Sequence, residues 1–129
     1  MPVTPLYAAI FGLIFIALSV RVIGLRRQLR VGLGDGGKPI LTHAIGVHSN
    51  FAEYTPLTLL IIVLLESRTG SGWWIHALCL VLLVGRLVHA YGVSQVKENY
   101  DYRVAGMMMT FATLVAACLG IVWVYLMQI

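Results

Sequence analysis

Four long apolar runs alternate with short polar links along the chain: Tyr7–Leu25, Ile40–Leu65, Trp73–Val96 and Val104–Met127. Each approaches or exceeds the roughly 20 residues that carry a helix across hydrocarbon. They are too long for membrane strands, and a helix satisfies its own backbone groups in lipid. The links are a glycine-rich Arg30–Pro39, a polar Glu66–Gly72 and a charged Lys97–Arg103. The pattern predicts an all-α integral membrane four-helix bundle, with residues 1–129 as a single domain.

Composition agrees. The chain is 60% hydrophobic and 11% charged, with mean hydropathy +0.90, whereas a soluble domain carries about a quarter charged residues. The first run reads as a retained helix rather than a cleaved signal. No basic residue precedes it, and it ends in Arg26 and Arg27 instead of a small-residue cleavage site. So small a bundle builds little core alone, so contact between helices, within the chain and between copies, must do the packing. Cys79 and Cys118 fall in apolar runs without metal or redox spacing and read as ordinary buried thiols.

The basic residues predict a direction. Arg26, Arg27, Arg30, Lys38, Lys97 and Arg103 flank the first and third links, whereas the opposite side holds Arg68. The positive-inside rule then places both termini outside the cytoplasm. Trp73, Trp74, Trp123 and Tyr125 mark the outer interface, and Tyr100 and Tyr102 the cytoplasmic one. The net charge of +4 is mostly topology and gives no argument for nucleic acid. In the fourth run Ala112, Ala116 and Gly120 form a small-residue ridge that would let another helix approach closely. The stretch G-L-G-D-G-G-K-P at Gly32–Pro39 imitates a phosphate-binding loop. It lacks Ser or Thr after the lysine and a strand before it, so it reads as a linker.

The candidate chemistry lies inside the second and third runs. Asn50, Glu53, Arg86, His48 and His89 are deeper than snorkelling explains, and such groups normally face a bundle interior or polar cavity. At 1.5 Å per residue, Arg86 is about 16 Å from Lys97 and Glu53 about 22 Å from Lys38. Comparable depths make a Glu53–Arg86 ion pair the default expectation. Asn50 and Glu53, three apart, share a helix face, and Pro56 is expected to kink the helix beside them. Glu53 is the one deep acid, with Arg86 near it and Arg21, Arg26, Arg27, Arg30 and Arg103 toward the cytoplasmic surface. Arginines favour carboxylates and phosphates, so the excess suits a small anionic ligand. It equally suits topology signals and lipid-headgroup anchors. His48, His89, Tyr54 and Tyr91 read either as packing residues or as ligand contacts. No histidine spacing supports a zinc site.

Three motifs carry a resemblance. N-F-A-E-Y-T-P-L at Asn50–Leu57, G-R-L-V-H at Gly85–His89 and R-R-Q-L-R at Arg26–Arg30 resemble signatures of the MAPEG family, membrane-associated proteins in eicosanoid and glutathione metabolism. The resemblance extends to length and helix plan over nearly the whole chain. It implies a homotrimer binding glutathione between subunits in the cytoplasmic half. On that basis Asn50 and Glu53 would bind the peptide, Glu53 at its amino end. Tyr54 and His48 would line the pocket, and Arg26, at the basic end that includes Arg30, would hold a carboxylate. Arg86 would pair structurally with the acid, and Arg103 would stabilise the thiolate. His89 lies in the third-helix motif, with Tyr91 beside it as a further ligand contact.

The implied chemistry is glutathione transfer to a lipophilic electrophile, with lipid hydroperoxide reduction as a companion activity, in a bacterial inner membrane surrounded by lipid. The chain departs from the family at Gly46, where many members have arginine, a place that Arg21 or another basic group would have to fill. It departs also at Val93, often tyrosine, and at Val104, where prostaglandin-forming members have serine. These departures leave open a member that binds without turnover. A small proton-coupled multidrug transporter also has four helices and one membrane acid. It usually carries that acid in its first helix, which here has none.

Overall fold

A computed structural model describes residues 1–127. Its elements are α1 (Thr4–Leu29), α2 (Pro39–Thr69), α3 (Trp73–Ser94) and α4 (Tyr100–Met127). All four are long and apolar enough to cross a membrane. Most helix ends extend past the apolar runs, because the helical backbone continues into the polar links; α3 instead stops two residues short of Val96. The 31 residues of α2 span about 46 Å, against about 30 Å of hydrocarbon, so α2 projects beyond the bilayer. Pro39 starts it at a position needing no N–H. Pro56 lies within it, and the helix runs on through that position.

The ends of α1 are fastened by different means. At its C-terminus Arg30 adopts a left-handed conformation (φ 55°, ψ 42°), unusual for a residue with a side chain. The Val31 N–H returns to the Arg26 carbonyl at 3.0 Å. The Arg26 guanidinium then donates to the Gly34 carbonyl at 2.7 Å. At its N-terminus no side chain of its own caps α1. Instead the buried carboxylate of Glu66, at the far end of α2, accepts the N–H groups of Val3 and Thr4 and the Ser71 hydroxyl. A carboxylate there also complements the helix dipole. Beside it the Tyr7 hydroxyl meets His76 Nδ1 at 3.2 Å.

The core is continuous through Phe11, Phe51, Ile62, Ile75, Cys79, Leu82 and Ala117. The closest crossing is α3 against α4. A Cβ added to Gly106 would lie 2.5 Å from the His89 backbone nitrogen and 2.6 Å from the Gly85 carbonyl. The buried face of α4 is Gly106, Thr110, Thr113 and Ala117, with both threonine hydroxyls returned to carbonyls four residues back.

Within the chain this crossing does not use the Ala112, Ala116 and Gly120 ridge. Ala112 and Ala116 are exposed and, with Trp73, Trp74 and Val81, line an apolar groove of about 450 Å³. Gly120 meets only the Leu65 side chain. Cys79 is buried as expected, whereas Cys118 faces outward from the apolar exterior.

Two predictions follow from the crossing and the first link. Gly106→Ala should cost about 1–3 kcal/mol through overpacking, while Gly46→Ala, with open space around it, should not destabilise. Thermal unfolding in detergent compares them. In the link, the Gly37 N–H and then the Thr42 hydroxyl hold the Asp35 carboxyl below its ordinary 3.8. A depressed folded value gives stability that is present above the ordinary value and lost as pH falls through the folded one. Asp35→Ala should therefore lower amide-exchange protection at Gly37 near neutral pH, with the gap from wild type closing in acid.

Candidate functional site

The polar residues of α2 divide among three directions. Leu41, Ala44, Val47 and Phe51 turn into the bundle, which leaves Asn50 at the edge of that buried stripe and Glu53 beyond it. Asn50 meets α3: Arg86 donates from one terminal nitrogen to Asn50 Oδ1 at 2.7 Å and from the other to Met107 Sδ at 3.2 Å. The Arg86 guanidinium carbon also lies 6.0 Å from the centre of the Tyr54 ring, within cation–π range. Arg86 is 2% exposed, and its Nε has no partner.

The expected Glu53–Arg86 ion pair is absent. Glu53 is exposed on the outside of the single chain, and among the described residues it takes part in no salt bridge. On the same rule Asn50 lies about 18 Å from Lys38, closer to the level of Arg86 than Glu53 is, and Glu53 faces outward, so the carboxamide rather than the acid reaches the guanidinium.

A cavity of about 220 Å³ opens between α2, α3 and the start of α4, lined by Thr42, His43, Gly46, Asn50, His89, Val93, Glu98 and Arg103. Asn99 brings the last two together. Its side chain accepts the Tyr102 N–H and its carbonyl the Arg103 N–H, opening α4. Its own N–H closes onto the Gly92 carbonyl at 3.0 Å. Arg103 then donates to Glu98 Oε2 at 2.7 Å, and Glu98 Oε1 lies 3.3 Å from His43 Nδ1. Gly46 and Val93, two of the three departures from the resemblance, both form part of this lining, and the absent side chain at Gly46 leaves one wall open.

The cavity thus gathers Asn50, His89 and Arg103 from the sequence-predicted set, and the others lie elsewhere. His48 turns toward α1, stacked on Phe15 at 4.8 Å. The Ser19 hydroxyl lies 2.8 Å from the Phe15 carbonyl and 3.0 Å from His48 Nε2. Tyr54 packs edge-on to Phe111 at 5.5 Å. Tyr91 is 61% exposed and packs on Tyr102, away from the cavity. Arg26 holds the first link and Arg30 ends α1. Arg21 cannot fill the place at Gly46, since both terminal nitrogens engage Ser94 at the end of α3.

His43, Thr42 and Glu98 are the lining residues that sequence reasoning missed. Glu98 was treated as part of a charged link, although its place just before a helix-starting Asn was a usable signal. Among the described residues no group of His, Cys, Asp or Glu forms a metal site.

A guanidinium beside a carboxamide and an imidazole can hold an anion or stabilise a thiolate. The cavity falls short of the roughly 300–1,000 Å³ typical of small-molecule sites, so a peptide-sized ligand would extend outside this single chain.

A sequence model described as the MAPEG family matches residues 4–123. Two curated relatives are each called "Inner membrane protein YecN", from Escherichia coli strain K12 and from strain O6:H1. Each is 36% identical over 121 residues, covering 94% of this chain and 91% of the relative.

The Arg86 geometry predicts a pattern of coupling. Asn50→Leu and Arg86→Met should be non-additive by about 0.5–3 kcal/mol, whereas Glu53→Gln and Arg86→Met should add within about 0.5 kcal/mol. Double-mutant cycles on unfolding in detergent measure both.

Proposed function

The chain belongs to the MAPEG family, and from that premise we propose that it joins glutathione to lipophilic electrophiles as a homotrimer in a bacterial inner membrane, both termini outside the cytoplasm. The observation that carries this reading is Arg103 on a polar cavity shared with Asn50 and His89. The family's glutathione chemistry and the membrane setting of the curated relatives supply its context.

In this reading Arg103 is the catalytic residue and acts electrostatically. A guanidinium keeps its proton at working pH and does not serve as base. It lowers the free energy of the glutathione thiolate, whose proton passes to water. The sulfur then forms a bond to the electrophilic carbon, and the leaving group departs with its electron pair. With a lipid hydroperoxide instead, the thiolate takes the terminal oxygen and becomes a sulfenic acid, releasing the alcohol. A second glutathione condenses with it to disulfide and water.

Asn50 and His89 offer polar groups to the peptide. Glu53, on the outside of the chain, is placed to receive the ligand's amino group where a neighbouring copy closes the site. Tyr54, beside Arg86, would line that same face. Arg26 and Arg30, at the basic end of α1, would face a ligand carboxylate held against the neighbour. Arg86 supports Asn50 rather than touching ligand.

A second reading, binding without turnover, is favoured by Gly46 and Val93, which bring to the cavity neither the arginine nor the tyrosine common in the family.

Arg103→Ala should lower the rate of conjugation with a reactive aryl halide by at least tenfold while changing glutathione affinity by much less, in stopped-flow and equilibrium binding on purified protein. Equal losses in both would make Arg103 only a binding group. Tight binding with no conjugate in wild type would select the second reading.

A further inference from the structure

Arg103 is not free in the resting chain. Its partner is Glu98, whose two oxygens are divided between Arg103 at 2.7 Å and His43 at 3.3 Å. We propose that Glu98 is a tethered carboxylate that occupies Arg103 at rest and must turn away before an anionic ligand can use that guanidinium. The proposal rests on the reading that this cavity receives an anion.

The local architecture separates the Glu98 side chain from the fold. Asn99, not Glu98, supplies the capping contacts that start α4. The link backbone is pinned by the Asn99 N–H on the Gly92 carbonyl. Gly92 itself is packed so closely that an added Cβ would lie 2.8 Å from the Arg103 nitrogen. Release of Arg103 therefore needs no movement of the link; rotation of one side chain is enough. The Arg103 side chain is 48% exposed and that of Glu98 17%, so water can take over the hydrogen bonds of the departing carboxylate.

Charge gives the arrangement its consequence. Arg103 is the one arginine lining the cavity and Glu98 the one acid, so with the pair closed an approaching anion meets no net attraction from them. A short tether presents its carboxylate at roughly millimolar effective concentration, comparable to a free metabolite. Partly exposed ion pairs are weak, so the closed form outweighs the open one only several-fold. Apparent affinity falls by the fraction of open sites. The latch thus sets a threshold of ligand concentration without blocking the site.

The test compares wild type, Glu98→Gln and Glu98→Ala with Asp101→Asn, which removes a nearby exposed acid absent from the cavity lining. Two quantities are read on the detergent-purified full chain: glutathione affinity by calorimetry, and the rate at which phenylglyoxal modifies Arg103, followed by peptide mass spectrometry. Both Glu98 variants should bind glutathione about two- to fivefold more tightly and expose Arg103 to faster modification, with Asp101→Asn like wild type.

Where wild type binds glutathione, unchanged or weaker binding in the Glu98 variants would overturn the proposal and make Glu98 a positioning group. Equal gains in Asp101→Asn would overturn it in favour of general surface charge. Faster Arg103 modification with no glutathione binding by any protein would uphold the latch and sink the glutathione reading.

Discussion

A guanidinium buried among membrane helices must find acceptors inside the protein, and Arg86 finds one oxygen, on Asn50. The remaining contacts are the Met107 sulfur and the face of Tyr54. Leaving a buried charge short of partners is far costlier than any single apolar contact is favourable. The relative heights of α2 and α3 therefore follow from this pair. The neighbouring Gly85–Gly106 crossing brings α4 close enough for Met107 to reach the same guanidinium. One polar interaction thus ties three helices at one level of the membrane.

The arrangement gives two arginines different surroundings. Arg86 is enclosed and committed to holding Asn50. Arg103, one helix start away, lies half-exposed on a cavity with a carboxylate as its resting partner. The first is architecture, and the second is available for exchange. The same register turns Glu53 outward, where its charge in lipid would be expensive and where a second copy or a ligand amine would relieve it. The single chain therefore carries an enclosed cation and an outward acid that do not meet.

How far the sequence could be read depends on the kind of force involved. Helix number and type follow from length and apolarity, which are local, and all four segments were legible. Asn50 and His89 stood out as polar groups in apolar runs and Arg103 through the resemblance, and one cavity brings the three together. The partner of Arg86 was not legible, because depth along a helix does not say which way a side chain faces, and α2 turns Asn50 toward α3 and Glu53 outward. His48 does not share the Asn50 cavity, because neighbours on one helix can serve different partners, here Ser19 and Phe15. Glu66 was passed over as a link residue because the helix it caps begins more than sixty positions earlier. The α3–α4 approach falls to Gly106 with Thr110 and Thr113, whereas the small-residue ridge on α4 lies on a different face.

With Arg86 spent on Asn50, the account rests on Arg103 as the cation that meets a glutathione thiolate. The most direct measurement is the ultraviolet difference absorbance of thiolate on adding glutathione to purified protein near neutral pH, beside Arg103→Ala at equal site occupancy. The account predicts a saturable thiolate signal in wild type that is largely lost in the variant. A signal of the same size in both, or none in a wild type shown to bind glutathione, would contradict it.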